Sequence, residues 1–166
     1  MGRAVLLAAV LMLSACLPSF TPDNAAPGLS LDADGIQPAG SALRVDFGRA
    51  QAGVIDTVTR LRGDGPDEIV TNQECGAGPV TAARWADGLT LNFLEGGFRG
   101  WVLDSDAVGV TGSALAVGQP RGVLGATAIE ETTLGEEFAA GEIFGLLDEG
   151  GAEIAYLWAG VTCFFR

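Results

Sequence analysis

Trp85-Ala86-Asp87-Gly88-Leu89-Thr90-Leu91-Asn92-Phe93-Leu94-Glu95-Gly96-Gly97 is the stretch from which the fold is read. Asp87-Gly88 is a strong hairpin turn, because glycine supplies the positive φ that a two-residue turn requires. After it Leu89, Leu91 and Phe93 alternate with Thr90, Asn92 and Leu94, the period of a strand with one apolar face. Glu95-Gly96-Gly97 turns the chain again, and Phe98 to Leu103 runs back. With Thr81 to Trp85 leading in, the spacing predicts a three-stranded antiparallel meander.

Upstream, Ala42 to Phe47 alternates like a short strand. From Arg49 the period changes: Val54, Ile55, Val58 and Leu61 recur at helical spacing. Gly63 stands where a helix is capped, and Gly65-Pro66 prevents continuation, so a helix is expected over Arg49 to Arg62. A loop through Cys75-Gly76-Ala77-Gly78-Pro79 joins it to the meander.

Downstream of Ser105 a similar order returns. Val117-Gly118-Gln119-Pro120 opens a short helix or turn through Ala128, and Thr133 to Phe138 leads into strands. Glu142 to Leu147 and Glu153 to Trp158 form a hairpin, and Ala159-Gly160 turns into Val161 to Phe165. Trp, Ala, Gly, Thr and Phe recur in order in the stretches beginning at Trp85 and Trp158, and Gly48 and Gly118 precede the two helical segments. Two hairpins of one sheet that share a turn type would give this echo, and so would an old duplication. The expected fold class is α+β: small antiparallel sheets with packed helices, in two tandem lobes at residues 43–104 and 105–166. In that arrangement Trp85 and Trp158 occupy equivalent places, and Leu91 and Cys163 share an inner face.

The N-terminus carries one positive residue, Arg3, and then Ala4 to Leu13 without a charge. This run is too short to span a bilayer, which takes about 20 apolar residues; it fits the apolar core of a secretory signal. Residues 16–42, with Pro18, Pro22, Pro27 and Pro38, lack periodicity and read as a flexible tether. Within it Asp32-Ala33-Asp34-Gly35 has the start of a calcium loop without its later ligands, so a turn is the expected reading.

Leu13-Ser14-Ala15-Cys16 resembles the lipobox of bacterial lipoproteins. The resemblance implies a signal peptide at 1–15, cleavage before Cys16, and diacylation (palmitate or a similar chain) at that cysteine. An ordinary signal peptide with a cysteine at its cleavage site is the alternative. Leu17 stands where the inner-membrane retention signal of such lipoproteins has Asp. In a Gram-negative host this implies the periplasmic face of the outer membrane. Several acyl chains give a near-permanent anchor, whereas one binds only marginally.

The order helix, loop and meander is similar to the BamE (SmpA/OmlA) group of small outer-membrane lipoproteins, and its doubling to β-lactamase inhibitor protein. Glu74-Cys75-Gly76-Ala77-Gly78 and Leu157-Trp158-Ala159-Gly160-Val161-Thr162-Cys163 resemble a family of alphaproteobacterial lipoproteins without an assigned activity. That resemblance implies no catalytic residues.

The chain contains no His and no Lys, and its net charge is −12. So acidic a surface is repelled by nucleic acid. The acid is concentrated after Asp104; it suits a basic partner or a cation, or is a solvated surface that keeps the domain soluble. With Cys16 alkylated, Cys75 and Cys163 are left, and in an oxidising compartment they are expected to pair rather than stay as buried thiols. Closing that loop contributes ~4–5 kcal/mol in the chain-entropy picture.

Without His or Lys there is no Ser-His or Cys-His pair, no His-held metal and no Schiff base. A carboxylate pair, at Glu130-Glu131 or Glu136-Glu137, is the remaining route to catalysis and needs an apolar cleft. No cofactor is implied. The expectation is a non-enzymatic binding or scaffold module of the envelope that meets the membrane through its lipid and has an envelope protein as partner. Its alternatives are a periplasmic enzyme inhibitor and, less favoured, a carboxylate hydrolase. Trp85, Phe98, Arg99, Trp101 and Trp158 are the candidate binding residues, since Trp is enriched at interface anchors; the competing reading places the aromatics in the core.

Overall fold

The structure, a computed structural model, describes residues 28–107 and 114–164. The signal peptide, Cys16 and the tether as far as residue 27 lie outside the described residues, as do Phe165 and Arg166.

The α+β expectation is overturned. Of the described residues 45% are strand and 12% helical. Strands β1 (Leu29–Asp32), β2 (Gly35–Pro38) and β3 (Val45–Asp46) form a small antiparallel sheet. Helix α1 (Gln51–Arg62) follows, then β4 (Glu68–Asn72), β5 (Val80–Arg84), β6 (Leu89–Leu94) and β7 (Gly97–Leu103). After a 3-10 turn at Arg121–Leu124 come β8 (Ile129–Thr132), β9 (Gly135–Ala140), β10 (Ile143–Leu147) and β11 (Ile154–Gly160). Strands β4 to β11 make one eight-stranded antiparallel sheet in the order β4-β5-β6-β7-β11-β10-β9-β8.

The two expected lobes merge at β7. A meander ending there would leave a row of unpaired backbone groups along its edge. Strand β11 takes that edge, with Leu103 opposite Leu157, Val102 opposite Trp158, Trp101 opposite Ala159 and Gly100 opposite Gly160. The hairpins of β10, β9 and β8 then extend the sheet. Trp85 and Trp158 are therefore not equivalent. Trp85 follows β5 at the hairpin turn and joins the core, whereas Trp158 lies within β11, paired across strands with Val102. Leu91 belongs to the core face, and Cys163 lies near Asn72 beyond the last strand.

The inner face carries Leu89, Leu91, Phe93, Phe98, Trp101, Leu103 and Leu157 into a continuous core. Val54 and Val58 of α1 cover it, together with Leu29, Leu31 and Ile36 of the small sheet. The helix ends as its sequence predicts: Gly63 adopts φ 86° and its N–H donates to the Thr59 carbonyl. The second expected helix shrinks to the 3-10 turn. Pro120 precedes it, and Gly125 closes it at φ 56°.

The tether is shorter than the composition suggests. Its second half holds the β1–β2 hairpin, whose Leu29, Leu31 and Ile36 are buried in the core. Asp32-Ala33-Asp34-Gly35 is the turn of this hairpin. Asp32 Oδ1 accepts the N–H groups of Asp34 at 3.0 Å and Gly35 at 3.1 Å. Arg44 donates to both Asp32 oxygens at 2.7 Å, and Trp101 Nε1 donates to the Asp32 carbonyl at 2.7 Å. The strand expected over Ala42 to Phe47 is reduced to the two residues of β3.

Candidate functional site on the outer face of the sheet

An antiparallel sheet with one face on the core can leave the other to solvent, and that face is normally polar. Here it is not. Register places Arg84, Thr90, Val102, Trp158 and Phe144 in one cross-strand row over five strands. The next row is Val70, Ala82, Asn92, Gly100 and Gly160. Tyr156 and Leu146 continue the apolar surface beyond Trp158.

The segment 161–164 leaves β11 and crosses part of this face. Gly100 and Gly160 make the crossing possible: a Cβ on Gly100 would stand 2.2 Å from the Val161 carbonyl oxygen. The Val161 N–H donates to the Arg99 carbonyl at 2.8 Å, and Asn92 Nδ2 donates to the Val161 carbonyl at 3.0 Å. Asn92 is only 4% exposed, so this bond satisfies an amide that burial would otherwise penalise. Phe164 packs edge-on against Trp158 at 4.9 Å between ring centroids, and Phe144 stacks on the same indole at 6.1 Å. Trp158 is thus 4% exposed although it lies on the outer face, while Phe144 is 40% exposed.

Between segment 161–164 and strand β4 a groove of about 400 Å³ is open, lined by Val70, Ala82, Thr90, Val102, Tyr156 and Phe164. Cys163 and Asn72 also line it. Asn72 Nδ2 donates to the Cys163 sulfur at 3.2 Å, and the buried Cys75 thiol donates to the Thr162 carbonyl at 3.8 Å. The two cysteines are free thiols and do not stand at disulfide distance, so the expected disulfide is not formed in the structure. Burial, followed by the contact with Cys75, pushes the Cys163 thiol up to about 11.

Of the aromatics expected to bind, Trp85, Phe98 and Trp101 are core residues. Trp85 donates through Nε1 to the Asp64 carbonyl at 3.2 Å, with the Arg62 guanidinium 5.7 Å from its ring centroid. Arg62 is in turn paired with Asp87. Phe98 meets Phe47 edge-on at 5.0 Å. Arg99 is the extra residue of a bulge in β7, because Asn92 faces Gly100 while Phe93 faces Phe98. Arg99 is exposed and contributes its carbonyl to segment 161–164. Only Trp158 of the expected aromatics belongs to the outer face. Sequence reasoning missed Val80, Ala82, Val102, Tyr156 and Phe164. The available signal was β11 itself: Ile154, Tyr156, Leu157 and Trp158 are apolar at both parities of the strand, the mark of a strand covered on two sides.

The paired acids lie elsewhere. Glu130 and Glu131 are on the edge strand β8, Glu136 pairs with Arg121 at 2.8 Å, and Glu137 accepts from Thr132 Oγ1 at 2.7 Å. The Glu153 and Ala152 amides hold the Asp148 carboxyl below the usual range, the opposite direction from that of a general acid. Among the described residues no three acidic or thiol side chains converge as metal ligands, and no helix is long and apolar enough to cross a membrane. Comparison of the chain with family models, curated proteins and solved structures gives no match.

Proposed function

We propose that the chain is a lipid-anchored protein of the periplasmic face of the outer membrane whose domain is a binding or scaffold module, not an enzyme. The outer sheet face is its binding surface, and the occupant is an extended apolar segment of an envelope protein. One observation carries this reading: segment 161–164 already lies across that face, fastened by Asn92, the Arg99 carbonyl and the Trp158 indole. An extended segment in the adjoining groove meets the same kind of surface, with backbone partners at the exposed β4 edge and apolar side chains beneath. Arg84 at the end of the row is held by Glu68 at 3.0 Å, and Asp104 is the acidic residue of the groove lining.

The anchor supports the same reading, since a domain tethered at Cys16 meets envelope partners at raised effective concentration. A photo-cross-linking amino acid placed at Thr90 in living cells tests the site. The expected result is an adduct with an extended segment of one envelope protein that disappears in Val102→Arg while the fold is retained. Absence of an adduct, or an adduct indifferent to Val102→Arg, contradicts it.

A further inference from the structure

We propose that Cys75 and Cys163 are a redox modification site: thiol–disulfide exchange with a small external disulfide joins them and latches segment 161–164 in place as one wall of the outer-face groove. The formation of the bond stands on its own. Its regulatory meaning rests on the reading of the outer face as a binding surface.

One cysteine belongs to the β4 edge of the sheet and the other to its middle, at β11. Cys75 sits in the β4–β5 connection, buried, and Cys163 in the segment that follows β11. Two contacts bring them together: Cys75 donates to the carbonyl of Thr162, the neighbour of Cys163, and Asn72 donates to the Cys163 sulfur. Without the bond, segment 161–164 is held by these two contacts, by the hydrogen bonds of Val161 to Arg99 and Asn92, and by one aromatic contact. These are surface interactions that open locally at a small fraction of the global stability. A covalent link at Cys163 fixes the segment three residues beyond the end of β11, between Val161 and Phe164.

The half-buried Cys163 is the thiol that an external disulfide reaches first. Its thiolate attacks one sulfur of the oxidant and releases the other as a thiol, giving a mixed disulfide on Cys163. The Cys75 thiolate then attacks the Cys163 sulfur, forms the internal bond and expels the second thiol. The two cysteines lose two protons and two electrons, and the external disulfide leaves as two thiols. The accessible groove partner of Cys163 and the buried resolving position of Cys75 set this order.

The test uses the full chain, reduced with a phosphine or oxidised with glutathione disulfide, then digested after arginine. Oxidation should link the peptides 63–84 and 122–166 and slow hydrogen exchange at the Val161 amide by at least about tenfold relative to the reduced chain. Cys75→Ser should exchange like the reduced chain in both conditions, and so should Cys163→Ser. Absence of the linked peptide overturns the modification site. A linked peptide with Val161 exchange unchanged overturns the latch. Neither readout depends on a partner, so failure of the Thr90 adduct counts against the binding surface alone.

Discussion

Val102 on β7 stands opposite Trp158 on β11, and through this pair the two halves of the chain become one sheet. Trp158 is held from both sides, by Phe144 and by Phe164. It is the point at which strand pairing, the outer face and the C-terminal segment meet. Trp158→Ala should cost ~3 kcal/mol or somewhat more, the range for truncating a buried Trp. Because the sheet is continuous, unfolding in urea should be a single transition by fluorescence and by circular dichroism. Two separated transitions would speak for independent lobes.

The Asp32–Arg44 pair should show in the acid limb of stability. The Arg44 guanidinium, which donates to both carboxylate oxygens, holds Asp32 below the usual carboxylate range; burial opposes this, and the Asp34 and Gly35 amides add to it. A depressed folded value favours the charged form in the fold. Its contribution is present above the ordinary value of 3.8 and is lost as the pH falls through the lower folded value. Asp32→Asn should cost about 1–2 kcal/mol near neutrality. The gap between variant and parent should shrink as the pH is taken below 3.8. A gap independent of pH would show that the pair contributes through packing alone.

How much of this was legible in the sequence depends on whether the signal is local. Helix α1 and strands β5 to β7 follow from a period of a few residues, from Gly63, and from turns at Asp87-Gly88 and Glu95-Gly96-Gly97. The pairing of Leu103 with Leu157 joins residues over 50 positions apart, and no local pattern announces it. The Trp-Ala-Gly echo pointed elsewhere, because two similar turns put their tryptophans in different surroundings. The β1–β2 hairpin was hidden by the composition around it: strands of four residues, one ending in Pro38, resemble a linker until Leu29, Leu31 and Ile36 are seen in the core. For the site, Trp85, Phe98, Trp101 and Trp158 were expected on one surface, while the fold puts the first three in the core and only Trp158 on the outer face, beside Tyr156 and Phe164, which went unread.

The anchor is tested at the cysteine that precedes the described residues. Cys16→Ser should leave the chain soluble or uncleaved, with no acyl mass at its N-terminus and no label after feeding palmitate. Processed and lipidated protein from that variant would defeat the assignment.

Oxidation of the cysteine pair should be slow at neutral pH and quicken as the pH rises. The attacking species is the thiolate, and the Cys163 thiol is pushed up to about 11. Below that value the rate of reaction with glutathione disulfide should rise up to about tenfold per pH unit, in step with the thiolate fraction. A rate flat from neutral pH upward would identify a different first thiol.

The central claim is that the outer face takes an extended apolar segment. It is tested most directly by adding such a segment in trans. A peptide with the sequence of residues 161–166 is titrated into the reduced full chain carrying Phe164→Ala, which loosens the chain's own segment and leaves the sheet intact. Trp85 and Trp101 lie in the core, so a change in tryptophan fluorescence reports Trp158. The account predicts a saturable change in Phe164→Ala, a weaker one in the reduced parent and none in the oxidised parent. No saturable change in any of the three would contradict it.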